Sequence, residues 1–300
     1  MTIYKIEKHK NIFLILLGVC LLLCITFFLG NSKKQTKGLI GKESVILNPK
    51  YKSEVCEIRL KLDGEELKLL KQNNIWFGKS SNLFFEADAQ KIERLLEELG
   101  NKRTVYQISD NAESFENFGL DEKNAFNIKL LLNDKTIISD LYFGKSNFNG
   151  SLISLRSGKN SNILQVLDNF YTFLYTQENN WADLQIIKKQ TSNFYNEEVL
   201  QCSINGKNFQ NNASQNINQS QNILSDYLDL LKSAKGSSLT NKQQFINKTP
   251  CMQIKIETLH KTLQFDIFNF GDDFAIIDSN SFGTNCALVI SAWTYNRLQP

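Results

Sequence analysis

Between Ile12 and Leu29 run eighteen residues without a charge, and only Gly18, Cys20, Cys24 and Thr26 interrupt Leu, Ile, Phe and Val. As a helix rising 1.5 Å per residue the run covers about 27 Å, close to the ~30 Å hydrocarbon layer of a bilayer. Its large apolar side chains, at about −0.3 to −0.6 kcal/mol each, favour insertion by roughly 4 to 8 kcal/mol. The run therefore predicts a transmembrane anchor. Lys5, Lys8 and Lys10 before it also suit a signal peptide, but the apolar stretch is too long for one and Gly30-Asn31-Ser32 is a mediocre cleavage site. A lipoprotein signal would need a small residue before its cysteine, whereas Val19 precedes Cys20 and Leu23 precedes Cys24. Lys33, Lys34, Lys37 and Lys42 after the run balance those before it, so charge alone does not orient it. Because long domains translocate with little regard to flanking charge, the expected arrangement is a cytoplasmic tail over 1–11, an anchor over 12–29 and a stalk over 30–44. The remaining chain is then an extracytoplasmic body at the cell membrane.

That body is long enough for two ordinary domains. The net charge of +3 is spread among mixed signs, which leaves no basic stripe for nucleic acid. Cys56, Cys202, Cys251 and Cys286 are dispersed, with no CxxC pair for zinc or thioredoxin-like chemistry. They read as small buried residues or as one disulfide, Cys251 to Cys286 being the first pair to test.

Val55–Leu62 alternates apolar and polar residues, Asp63-Gly64 is a hairpin signal, and Asn73-Asn74 turns the chain into Ile75-Trp76-Phe77. Asp88 is placed to cap a helix carrying Ile92, Leu95, Leu96 and Leu99 on one face, with Gly100 as its stop. Strands are expected near 104–109, 126–132, 136–143 and 151–156, and a second amphipathic helix over about 163–174. The second half follows the same plan. Asn205-Gly206 matches Asp63-Gly64, Leu224, Tyr227, Leu228 and Leu231 match the first helix, and Leu288, Ile290, Tyr295 and Leu298 match Leu164, Val166, Tyr171 and Leu174. The second copy lacks the Ile75-Trp76 strand and the Phe118-Gly119-Leu120 segment, and carries an Asn/Gln-rich stretch from Asn208 to Asn222. The expected fold class is α+β: an N-terminal transmembrane helix, then two related units of antiparallel sheet with packed helices, over 45–180 and 181–300.

Residues 55 to 175 resemble a bacterial family known as domain of unknown function 4340 (DUF4340). The likeness rests on the Ile75-Trp76 strand, Ala87-Asp88 opening a helix that ends at Leu99, Phe118-Gly119-Leu120, the strand pair closing with Phe143-Gly144, and a helix around Val166. In the family a proline usually follows the Gly-Leu element; here Asp121-Glu122-Lys123-Asn124 follows instead. The resemblance implies a membrane-anchored extracytoplasmic protein found beside membrane and auxiliary subunits of ABC-type exporters, including those linked to gliding motility.

The chain contains no Gly-rich phosphate loop, GxSxG elbow or HExxH motif, so any ATPase must be a partner. No nucleotide, cofactor or metal is expected. His260 stands between two expected strands with no triad partners in view. Carboxylates pair at Glu65-Glu66, Asp121-Glu122 and Asp272-Asp273, and as Asp226 with Asp229, in expected turns or on a wet helix face. Trp76 with Phe84 and Phe85, and Trp181 and Trp293, suit either a core or a platform for a glycan or peptide. Trp76, Phe118, Gly119 and Leu120 are the expected partner surface, although Gly119 equally suits the positive φ that ends a helical turn. The leading expectation is a non-catalytic accessory subunit of an ABC-type cell-envelope transport complex. A rival is a receptor-like module binding a small ligand in a cleft between the units. A third reading, an envelope hydrolase, would need Asp272 or Asp226.

Overall fold

Asp63 and Gly64 (φ 47° and 84°), and then Asn73 and Asn74 (φ 49° and 65°), take the left-handed backbone that tight hairpin turns require. They join β2 (Glu57–Leu62), β3 (Glu65–Gln72) and β4 (Ile75–Lys79) into a meander, to which β5 (Phe84–Glu86) adds a further antiparallel strand. This computed structural model describes residues 41–158, 160–190, 198–209, 217–279 and 284–299.

After β5 comes helix α1 (Ala89–Gly100), whose first turn is capped by Asp88 accepting the Lys91 N–H at 3.1 Å. Ile92, Leu95, Leu96 and Leu99 are its buried face. Gly100 lies within the helix rather than ending it; Asn101 is the C-cap. Strands β6 (Arg103–Ser109), β7 (Phe126–Leu131), β8 (Ile137–Ser146), β9 (Leu152–Ser157) and β10 (Ile163–Leu167) follow. With the short β1 (Lys42–Ser44) they complete a ten-stranded antiparallel sheet in the order β1-β6-β10-β9-β8-β7-β2-β3-β4-β5. Cross-strand register aligns Leu67, Leu60, Ile128 and Leu141 in one row, so alternate residues of each strand face α1 across a common core.

The second half contributes β11 (Val199–Ile204), β12 (Lys207–Phe209), α2 (Ile217–Ser233), β13 (Ser238–Asn241), β14 (Met252–Thr258), β15 (Thr262–Phe270), β16 (Asp273–Asp278), β17 (Cys286–Ile290) and α3 (Ala292–Leu298). Its sheet runs β12-β11-β14-β15-β16-β17-β13. From β3 to β6 the first sheet has this same order, strand for strand, with a helix inserted at the same point of both halves. The first sheet adds β1 beyond β6, and β4 and β5 beyond β3. Where the first half has its Phe118-Gly119-Leu120 turn, the second has a short 3-10 turn, Lys242–Phe245, that buries Phe245.

Several expectations are corrected. The molecule is mainly antiparallel β, two sheets with three helices among the described residues, rather than α+β behind a transmembrane helix. The segment expected to be a helix over 163–174 begins as strand β10, hydrogen-bonded to β6 on one side and β9 on the other. Its Ile163, Leu164 and Val166 fit either period over so short a run, and two sheet neighbours outweigh one turn of helix. Lys42–Ser44, assigned to the stalk, pairs with β6. The run 12–29 lies outside the described residues. Among those described, no helix is long and apolar enough to cross a membrane. The longest, α2, has 17 residues and includes Asp226, Asp229 and Lys232. The expected single-pass anchor and cell-membrane placement are accordingly not supported.

One charged cluster ties the first sheet together. Glu57 on β2 is 3% exposed, yet it receives Lys135 Nζ at 2.6 Å and Arg59 Nε at 2.6 Å. Burial alone would raise its pKa, but the hydrogen bonds from Lys135 and then Arg59 outweigh that and hold it below the ordinary 4.5. A depressed folded pKa means that the unfolded chain takes up the proton first. The stabilisation is thus complete above pH 4.5 and fades as pH falls through the folded value. Urea unfolding midpoints measured from about pH 6 to pH 3 should fall less steeply for Glu57→Gln than for the parent chain. Parallel curves would show that Glu57 carries none of the acid sensitivity.

Candidate functional site

The junction between the halves is built around β5, which would otherwise leave an open sheet edge. Phe84 N–H donates to Asn285 Oδ1 at 2.6 Å, Asn285 N–H donates to the Phe84 carbonyl at 3.0 Å, and Asn285 Nδ2 reaches the Asn82 carbonyl at 3.0 Å. Farther along, Asp183 N–H donates to the Glu86 carbonyl at 2.9 Å and Asp88 N–H to the Trp181 carbonyl at 2.7 Å. Gln190 spans the same seam, its Nε2 donating to the Ala87 carbonyl at 2.7 Å while its Oε1 accepts the Trp76 N–H at 3.0 Å.

The connecting segment 181–190 lies between the sheets. Trp181 and Ala182 belong to the first core, Ile186 and Ile187 to the second, and Leu184 packs on both. Gly236 N–H bonds the Leu184 carbonyl at 2.8 Å, and Leu239 N–H bonds Asn179 Oδ1 at 2.9 Å, which secures β13 to the same segment.

Two concavities flank this segment. On one side is a cavity of about 40 Å³ lined by apolar side chains together with Glu86, Lys188, Asp278, Thr284 and Cys286. It has room for about three waters at most and none for a substrate. Burial pushes the Cys286 thiol up, against the opposing pull of the Lys188 charge and the Thr284 hydrogen bond, so the thiol stays protonated at neutral pH.

On the other side is a groove of about 470 Å³ between the first turn of α1, residues 179–190, and Lys235 and Gly236. That volume falls in the range of small-ligand sites. Its side chains are polar, with Lys91, Lys189 and Lys235 among amides and two aspartates. Lys91 is half-buried, with Nζ 5.1 Å from the centre of the Trp181 ring; burial lowers its pKa below 10.5, partly countered by Asp88 and assisted by Arg94. A groove of about 660 Å³ among turns of the first half is lined by Lys68 paired with Glu66 at 3.3 Å and Glu65 accepting from Thr176 at 3.0 Å, with Lys79 and Glu178 alongside.

The expected partner surface does not assemble. Trp76 is 4% exposed, its side chain packed in the first core. Leu120 and Gly119 are buried and Phe118 is half-buried. Gly119 has φ 64°, with Leu120 N–H bonded to the Phe115 carbonyl at 2.8 Å and Gly119 N–H to Glu116 at 3.1 Å, the paired closure that ends a helical turn. Arg156 clamps this turn, its Nε donating to the Leu120 carbonyl at 2.8 Å and its guanidinium lying 3.5 Å from the Tyr142 ring centre and 4.7 Å from that of Phe115. A β-carbon on Gly144 would meet the Phe118 carbonyl at 2.2 Å, so the Gly at 144 belongs to the same packing.

Cys251 and Cys286 are free thiols. Cys251 immediately precedes β14 and Cys286 opens β17, strands three spacings apart, roughly 14 Å, twice what a disulfide spans. His260, Asp226, Asp229, Asp272, Glu65, Glu66 and Glu122 are exposed and do not converge. Trp293 is exposed on α3, with Arg297 4.7 Å over its ring. Among the described residues no group of three or more metal-binding side chains gathers. A cleft between the halves is among the sequence expectations, but its lining residues are not, since the walls come from residues near 90, 180–190 and 235; only the Asp88 cap signals one of them.

Removing the Asn285 amide tests the seam. Asn285→Ala strands the Phe84 N–H and the Asn82 carbonyl together, which should lower unfolding stability by about 1 to 3 kcal/mol in urea titrations. A change within ~0.5 kcal/mol would mean that the seam is held by its apolar contacts alone.

A protein of Treponema pallidum (strain Nichols), described only as uncharacterized, is 25% identical over 167 residues, covering 54% of this chain and 52% of that protein. The chain thus spans about half of that relative's length. No solved structure matches. Residues 79–243, from the end of β4 through α2 and β13 and so across the junction, match the family described as a domain of unknown function (DUF4340), and as this is more than half of its length the chain belongs to that family.

Proposed function

We propose that this protein is a non-catalytic binding module serving as an accessory subunit of an ABC-type cell-envelope transport complex. The observation that carries the binding role is the junction groove: a concavity of about 470 Å³ walled by a capped helix and a hydrogen-bonded connecting segment. Rigid walls of this kind hold polar groups in place without an ordering cost at the moment of binding. The carboxylates and the histidine weighed as catalytic candidates in the sequence are exposed or half-buried and do not converge, and the Cys286 thiol lines a cavity too small for a substrate. Support for the transport setting comes from the resemblance set out above; in that setting ATP hydrolysis would fall to a partner.

A second reading, a receptor for a small ligand, is favoured by the groove's volume and by its position between the two halves. The readings share one site and differ in what enters it, a partner's loop or a free small molecule.

Affinity purification of the tagged full chain from gently solubilised cells should recover the ATP-binding and membrane subunits of a transporter. Gln90→Trp, which adds bulk at an exposed groove position on α1, should reduce that recovery without changing the urea midpoint. Recovery of the protein alone would sink the accessory role; recovery unaffected by Gln90→Trp would move the partner's contact away from the groove.

A further inference from the structure

The charges lining the junction groove are not equivalent. Its two carboxylates are occupied by backbone: Asp88 Oδ1 caps α1 through the Lys91 N–H at 3.1 Å, and Asp183 accepts the Gln185 N–H at 3.0 Å and the Lys189 N–H at 3.4 Å. The three ammonium groups are not so engaged. Among the described residues, Lys91, Lys189 and Lys235 have no carboxylate within 4.0 Å. They come from three separate elements, and the Gln185–Lys235 bridge fixes the third against the connecting segment.

Lys91 is the most confined, leaning over Trp181 and Tyr175 with ring-centre distances of 5.1 Å and 5.9 Å. A half-buried ammonium held there without an ion pair is stabilised by a negative charge brought into the groove. The end of α1 adds little to this, because Asp88 already caps it. Amide side chains, Gln90, Asn180 and Gln185, make up much of the remaining wall and suit hydroxyl or amide groups rather than an apolar body.

We propose that the groove binds a small polar ligand bearing an oxyanion, a carboxylate or a phosphate, through Lys91, Lys189 and Lys235. This rests on the second reading above, in which the groove admits a free small molecule. Such a ligand would gain charge-assisted hydrogen bonds from up to three ammonium groups, and its affinity would fall with added salt.

The test is calorimetric titration of the full chain with inorganic phosphate, with succinate and with uncharged glucose. The proposal expects one of the two oxyanions to bind, which also tells phosphate from carboxylate. It further expects the combined Lys91→Gln, Lys189→Gln, Lys235→Gln variant, confirmed as folded by its urea midpoint, to bind that ligand at least about tenfold more weakly. Gln90→Trp should abolish the binding. If neither oxyanion binds, or if the lysine variant binds as tightly as the parent, the proposal is overturned. Glucose binding that Gln90→Trp removes would overturn the anion specificity while leaving the groove as a ligand site. Oxyanion binding that survives Gln90→Trp would overturn both.

Discussion

An unpaired strand edge has to be satisfied, and in this molecule the edge at β5 is satisfied by the other half of the chain. Asn285 supplies a side-chain acceptor and a backbone donor to Phe84, while Asp183 and Asp88 continue the pattern through Glu86 and Trp181. Backbone groups buried without partners cost a few kcal/mol each, so the two sheets are joined by the same requirement that builds each of them. The groove and the small cavity both lie along this closure. Were β5 free, the segment 181–190 would have no fixed wall to lie against.

The shared strand order explains why the closure is needed on one side only. Both sheets contain the same seven-strand arrangement, but the first extends it at each end. β1 covers β6, and β4 and β5 extend beyond β3 to reach the second half. The second half lacks counterparts of those additions among its described strands, so β13 is left to be covered by the connecting segment, with Asn179 bonded to Leu239. Of the first half's additions, β4 and β5 lie at the junction and β1 at the opposite edge of the sheet. The halves also differ away from the junction: the turn at Phe118-Gly119-Leu120 is packed under Arg156, whereas its shorter counterpart buries Phe245 beside Phe268 and Phe270.

Local features were the legible part of the sequence. Asp63-Gly64 and Asn205-Gly206 announce hairpins because few residues accept left-handed backbone, and α1 is announced by its cap and by apolar residues at helical spacing. The segment at 163–174 was misread because a five-residue apolar run fits two periods, and only its neighbours β6 and β9 decide between them. Trp76 suits a core as well as a partner surface on sequence alone, and only the packing of the first half decides for the core. The junction was not legible at all. Phe84 and Asn285 are 201 positions apart, and no local pattern marks either as a partner of the other.

The contrast between the two concavities at the junction separates packing from function. Both are lined by charged and polar groups contributed by the same connecting segment, on its opposite sides. In the cavity, the small volume, the neutral thiol and the proximity of Lys188 to the Asp183 carbonyl, to which it donates a hydrogen bond, describe a polar cluster enclosed by folding. In the groove the carboxylates accept backbone N–H groups, while Lys91, Lys189 and Lys235 have no carboxylate within 4.0 Å among the described residues. Half-burial disfavours the Lys91 ammonium, and the Asp88 charge offsets that only in part. That cost is intelligible if the site is completed by something negative, and it has no evident structural return, since neither sheet nor any helix cap depends on Lys189 or Lys235 side chains.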